Sequence, residues 1–222
     1  MIDGRRLGQT MRVAALLAVM GGAIGQAQNP SRPWRPPVPG HADENPQFFP
    51  TGTFGSNGAR LAGKLSWYLR SMAERPLPES VSPEQPQIYR LLVEMPPPNS
   101  PVVVRLSIGT GGTGEVVTKI GQSPGHPDVL TVNRTIEASP AAVDHFLNLL
   151  ENAGFWSMPT CKPFDIHHVL MGGTDYVLEG SQGNRYHVVE RKDLELVPLN
   201  DSVVALLVTL AKVELPGQPT RK

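Results

Sequence analysis

From Val102 to Ile108 the residues divide into an apolar set and a more polar set at every second position. Val102, Val104, Leu106 and Ile108 share one side, while Val103, Arg105 and Ser107 share the other. A period of two is the mark of a β-strand, because successive side chains leave opposite faces. The same reasoning predicts strands at Ile88–Met95, Glu115–Ile120 and Val129–Ile136, with Leu130, Val132 and Ile136 facing one way. The period changes to a helical one after Ser139. There Val143, Phe146, Leu147, Leu150 and Ala153 form a stripe. Ser139 suits the N-cap, Pro140 the first helical position and Gly154 the residue just past the end. Val203 to Ala211 has almost no polar side and is too short to cross a bilayer, so it reads as a buried helix. Ser56 to Glu74 offers another helix, with Leu61, Leu65, Tyr68, Leu69 and Met72 on one face and Arg60, Lys64 and Arg70 around it. Three basic residues are few for a membrane-surface helix, so packing on the domain is the expected fate of this one. Gly58 and Gly63 weaken it by ~1 kcal/mol each relative to Ala.

The most informative stretch runs from Gly154 to Arg191. Phe155 and Trp156 follow the helix stop, where they are expected to plug the gap between that helix and a following hairpin. The hairpin is signalled by Asp175–Glu179 and Arg185–Arg191, rich in Tyr and Val, on either side of Gly180-Ser-Gln-Gly-Asn184. A turn on Gln182-Gly183 sets Glu179 opposite Tyr186 and Asp175 opposite Glu190. A turn on Gly183-Asn184 changes the register but not the division of faces. One face carries Asp175, Val177, Glu179, Tyr186, Val188 and Glu190; the other carries Tyr176, Leu178, His187, Val189 and Arg191. The second is more apolar and is assigned to the core.

The run FLNLLENAGFWSMPT followed by GGTDYVLEGSQGNRYHVVER resembles a family of uncharacterised exported bacterial proteins. That family has a Phe-Trp after a helix and a hairpin reading Leu-Glu-Gly then Tyr-His-Val-Val-x-Arg. The similarity extends weakly to IYRLLVEMP and PVVVRLSIG, covering roughly residues 87 to 213. It implies a fold and export, and no activity. The chain departs from the pattern at Tyr176, where a Trp is expected, and at Lys192-Asp193, where Trp-Ser or Trp-Thr is expected.

These elements predict an α+β fold: a mostly antiparallel sheet of about six strands packed against two helices, at 140–153 and 202–212. The predicted organisation is a signal peptide over 1–27, a proline-rich linker over 28–55, and an amphipathic helix with a second proline-rich linker over 56–85. A single domain over 86–216 and a tail over 217–222 complete it. The prolines support the linkers, since seven fall between Pro30 and Pro50 and eight between Pro76 and Pro101.

The charge balance, 20 basic against 20 acidic residues in 222, gives no footprint for nucleic acid. The N-terminus bears on compartment. Arg5, Arg6 and Arg12 precede an apolar run from Val13 to Ile24 and a small-x-small site at Gly25-Gln26-Ala27. That pattern predicts periplasmic or secreted localisation after cleavage before Gln28, with no integral span left behind; Met11 is an alternative start. Cys161 is the only cysteine, so no internal disulfide forms, and burial is its expected state.

Candidate chemistry is sparse. Gly109 to Gly114 reads GTGGTG, a literal match to the dinucleotide fingerprint, but a strand follows it rather than the helix that would hold a pyrophosphate. It is expected to be a hairpin loop, and no cofactor is predicted. Cys161, Asp165, His167 and His168 are zinc-type ligands without zinc spacing, so no metal is predicted. His187 and Glu190 could serve as acid and base, but alternation along a strand sends them to opposite faces. Arg191, on the His187 face, is expected to form a structural pair with a nearby Glu. The acidic hairpin face, with Asp175, Glu179, Tyr186 and Glu190, is the candidate binding surface. It is either solvated and relieved by Arg or Lys from elsewhere, or it meets a basic envelope protein partner with Tyr186 as anchor. The expected function is a non-enzymatic periplasmic binding or interaction module. The alternative is a hydrolase using His187 and a carboxylate.

Overall fold

The computed structural model describes residues 47–55, 58–77, 86–161, 173–192, 200–213 and 215. All lie in one compact unit, Trp34–Lys222. The elements in chain order are α1 (Ala59–Ser71), β1 (Gln87–Glu94), β2 (Val102–Ile108), β3 (Gly114–Ser123), β4 (His126–Ala138) and α2 (Pro140–Asn152). A single 3-10 turn (Phe155–Ser157), β5 (Asp175–Gln182), β6 (Arg185–Lys192) and α3 (Asn200–Leu210) follow. The strands form one antiparallel sheet in the order β4-β3-β2-β1-β5-β6. The expected fold class is the observed one.

Hairpins join β2 to β3, β3 to β4 and β5 to β6. β1 is central because it pairs with both β2 and β5. Burial on both faces explains its nearly unbroken apolar run from Ile88 to Val93, interrupted by Arg90 alone. The GTGGTG stretch closes the β2–β3 hairpin, with the Gly109 amide donating to the Thr113 carbonyl at 3.1 Å.

One face of the sheet carries Tyr89, Leu91, Val104, Leu106, Val116, Leu178 and Val189 under α2 and α3. Val143, Phe146 and Leu150 form the buried stripe of α2, as the spacing predicts. Ser139 Oγ accepts from the Ala142 amide at 3.3 Å, and Gly154 leaves the helix in the left-handed region at φ 67. That conformation favours glycine, which has no Cβ to clash.

The opposite face is covered too, and this differs from the two-helix expectation. α1 lays Leu65, Tyr68, Leu69 and Met72 onto Leu92, Val103, Val177 and Val188. Phe48 and Phe49, in the stretch read from sequence as a linker, are buried in the same cluster. The helix is short and glycine-bearing, so its stability derives from this packing rather than from intrinsic propensity.

β4 carries a second difference. Ile120 pairs with Val132 but Gly121 pairs with Leu130, so the register slips past Thr131. One extra residue reverses the side-chain alternation. Leu130 therefore packs with the α1 cluster, while Ile136 packs with the α2–α3 cluster.

Candidate functional site

The β5–β6 turn is Gly183-Asn184: Gln182 pairs with Arg185, Glu179 with Val188, Val177 with Glu190 and Asp175 with Lys192. The division of faces matches the sequence expectation. α1 packs over Val177 and Val188 on the acidic face, and Arg and Lys from elsewhere in the chain pair with Glu179 and Asp175, as the solvated reading of that face called for.

Glu179 is fully buried, and its Oε2 accepts from Arg90 Nε at 2.8 Å and from a terminal Arg90 nitrogen at 2.6 Å. The Tyr186 hydroxyl donates to Glu179 Oε1 at 2.9 Å. Burial pushes the Glu179 carboxyl above its usual range, and the Arg90 charge opposes that shift. Tyr186 is pushed up as well, by burial and then by the Glu179 charge. Arg90 also donates to the Arg75 carbonyl at 2.6 Å and approaches Glu74 at 3.6 Å.

Glu74 gathers further cations, with Lys119 at 2.7 Å and Arg105 at 3.2 Å. It reaches them because Ala73 turns the chain sharply at φ 53 just after α1. Lys119 also donates to the Met72 and Ala73 carbonyls at 2.8 and 3.0 Å, which caps the end of the helix.

At the other end of α1, Lys64 pairs with Glu94 and lies 3.4 Å from Asp175, while Lys192 holds Asp175 at 2.6 Å. Burial raises the Glu94 carboxyl, and Lys64 opposes it. Glu190 is half-buried, and its amide donates to the Thr160 carbonyl at 2.7 Å. Asp175 and Glu179 thus meet Lys, Arg or Tyr of their own chain, and Tyr186 meets Glu179.

His187 and Arg191 lie on the other hairpin face. His187 Nε2 is 2.8 Å from the Met158 carbonyl and donates to it, and the ring meets Phe155 edge-on at 5.1 Å. Burial lowers the His187 pKa, the carbonyl contact opposing. Arg191 donates to the carbonyls of Thr160 at 3.1 Å and Pro159 at 2.8 Å. With the Glu190 amide, these bonds tie residues 158–160 along the outer edge of β6. Glu190 points from the opposite face of β6, so it does not converge with His187.

Cys161 is half-buried, and burial followed by the Glu190 charge pushes its thiol up to about 11. It is protonated and unreactive at neutral pH. Asp165, His167 and His168 lie outside the described residues. Among the described residues, no group of three or more His, Cys, Asp or Glu could hold a metal ion, and no helix is long and apolar enough to cross a membrane.

The concave feature with convergent polar groups lies where α2, the 3-10 turn and the hairpin tip meet. It is a half-open groove of about 440 Å³, lined by Tyr89, Leu147, Leu150, Glu151, Gly154, Phe155, Trp156, Ser157, Gln182 and Arg185. Its floor is apolar. Phe155 is fully buried and sits over Gly180, where a Cβ would come within 2.7 Å of its ring. Only glycine at 180 admits the ring this close. Trp156 is half-buried, so of the expected aromatic pair Phe155 alone is a full plug. The Arg185 guanidinium lies 4.2 Å from the Trp156 ring centre and donates to Gln182 Oε1 at 2.6 Å. The Tyr89 hydroxyl, pushed up to about 12 by burial with Arg185 opposing, stays protonated at neutral pH. The groove offers hydrogen-bond donors and acceptors around an apolar floor. Sequence reasoning missed Tyr89, Gln182 and Arg185, and only the position of Trp156 after the helix stop pointed here.

A second hollow, about 420 Å³, lies between residues 49–55 and the first half of α1; no charged side chain lines it. No protein-family model matches the chain, and no curated protein matches it either.

Proposed function

We propose that this chain is a non-catalytic binding module, exported through residues 1–27, and that the Trp156 groove is its ligand site. The observation that carries the reading is the Trp156–Arg185 stack over an apolar floor, with Glu151, Ser157 and Gln182 at the rim. Ligand sites are typically concave, with placed polar groups beside apolar surface, and this groove shares its lining about equally between the two. The acidic hairpin face is set aside as a docking surface because α1 covers it. The hydrolase alternative is less well supported, because His187 is held by the Met158 carbonyl through Nε2–H and Glu190 leaves the opposite side of the strand, so the two do not converge.

The test is a fragment screen by NMR on the full chain. Resonance changes should map to Trp156, Ser157, Gln182 and Arg185 and leave Glu179 and Tyr186 unmoved. Ester or peptide turnover lost in His187→Ala would overturn the reading in favour of the hydrolase. Export is tested separately by intact mass of the envelope fraction, with a mature N-terminus at Gln28 expected.

A further inference from the structure

We infer that the groove takes a small carboxylate with an apolar body, bound through Arg185; this rests on the groove being the ligand site. Cations packed against the sheet are already engaged by the chain, Arg134 and Arg191 among them through backbone carbonyls. Lys64, Arg90, Arg105, Lys119 and Lys192 each have a carboxylate of the chain within ion-pair distance. Arg185 has none among the described residues. Its hydrogen bond there is the one to Gln182, which uses one of five N–H donors.

Arg185 is nevertheless held in place. The guanidinium lies 4.2 Å from the Trp156 ring centre and one of its N–H groups donates to Gln182, and these two contacts restrict its motion. A planar fork oriented in advance matches a carboxylate, which accepts two parallel N–H bonds. Less side-chain entropy is then lost on binding. Beside the fork, Leu147, Leu150, Phe155 and the Tyr89 ring supply apolar surface for the rest of the ligand. A volume near 440 Å³ accommodates one aromatic or branched aliphatic group with its acid. Glu151 also lines the groove, so a ligand with two acid groups is disfavoured and a monocarboxylate is selected. Either a free organic acid or the C-terminus of a peptide ending in an apolar residue carries this chemistry.

The test uses the full chain and three probes. N-acetyl-L-phenylalanine mimics a peptide C-terminus, 3-phenylpropionate a free acid, and N-acetyl-L-phenylalaninamide the first probe without its charge. The readout is the Trp156 indole N–H resonance, identified by its loss in Trp156→Phe. At least one acid should shift it and bind about tenfold or more tighter than the amide, the worth of a charged hydrogen-bond pair. Arg185→Gln should remove that preference while lowering the melting temperature by no more than about a few degrees, and added salt should weaken the preference. Tighter binding of the acetylated acid identifies a peptide C-terminus as the source, and tighter binding of phenylpropionate a free acid. Equal binding of acid and amide, both shifting Trp156, would overturn the carboxylate while leaving the groove as the site. No groove perturbation by any probe at millimolar concentration would overturn the carboxylate and the groove reading together.

Discussion

The two faces of the sheet are built on different physics. Under α2 and α3 the contacts are apolar side chain on apolar side chain, ending in the aromatic group of Tyr89, Phe146, Phe155 and Trp156. Under α1 an apolar patch is flanked by ion pairs, with Lys64, Glu94, Asp175 and Lys192 near one end of the helix and Glu74, Arg90, Arg105, Lys119 and Glu179 near the other. Dispersion and hydrophobic burial are tolerant of direction, so the first face can be repacked. A buried charge is intolerant, since it depends on its partner being present and aligned. On that physics the ion pairs are expected to specify where α1 sits more than they hold it there.

The largest expected effects test that difference directly. Arg90→Met leaves Glu179 and the Tyr186 hydroxyl facing a buried gap and should cost ~3–5 kcal/mol of unfolding free energy. Phe155→Ala opens a cavity over Gly180 and should cost about as much, ~3–5 kcal/mol. The double variants separate the mechanisms. Adding Glu179→Leu to Arg90→Met should recover much of the loss, because the stranded charge is gone. Filling the Phe155→Ala cavity with Gly180→Ala should recover far less, since one methyl cannot replace a ring. Urea unfolding gives all four values, and a double variant as unstable as Arg90→Met would show that the ion pair itself is the stabilising element.

The same difference explains what was legible in the sequence. Strands, the α2 helix with its caps and the faces of the β5–β6 hairpin follow from local periodicity, and each is found. Packing of the α1 helix on the domain was legible, but the face it covers and the part played by Phe48 and Phe49 were not. Gly58 and Gly63 weaken α1, and the prolines beside it resemble a linker. Its partners, Val103, Val177 and Val188, lie on distant strands. Relief of the acidic face by Arg or Lys was anticipated, but which residues supply it was hidden. Arg90 reaches Glu179 across 89 positions and Lys64 reaches Asp175 across 111, separations at which no spacing rule operates. The bulge at Thr131 defeated the alternation argument for Leu130. The groove shows the same limit, because Tyr89, Trp156 and Arg185 come from β1, the 3-10 turn and β6.

Acid separates the faces by sign. The His187 pKa is lowered in the fold, so the unfolded chain binds more protons as pH falls. Stability contributed by neutral His187 is complete above the ordinary value of 6.5 and is lost as pH falls below it. Glu94 and Glu179 are raised, so the folded chain binds their protons first. Their contribution is complete below the ordinary value of 4.5 and is lost as pH rises through the folded values. Unfolding free energies measured from pH 7 to 5 should therefore fall less steeply in His187→Gln than in wild type, and more steeply in Glu179→Gln. A matching slope in all three proteins would place the titrating groups elsewhere.

The smallest effect is expected where the faces give way to the groove. Arg185 is exposed and its stack on Trp156 is open to water, so Arg185→Ala should cost about 0.5–1 kcal/mol at most. Trp156 is half-buried beside Phe155 and Tyr89, and Trp156→Ala should cost about 2 kcal/mol, short of the full core penalty. The two are in contact, so the double variant should lose less than the two losses added, the difference being the stack itself. Strict additivity would mean that Arg185 rests on Trp156 without being held by it, and the orientation on which carboxylate recognition depends would be lost. Thermal unfolding of the four proteins at low and high salt measures this coupling. It should shrink with salt if the attraction is electrostatic and persist if it is packing.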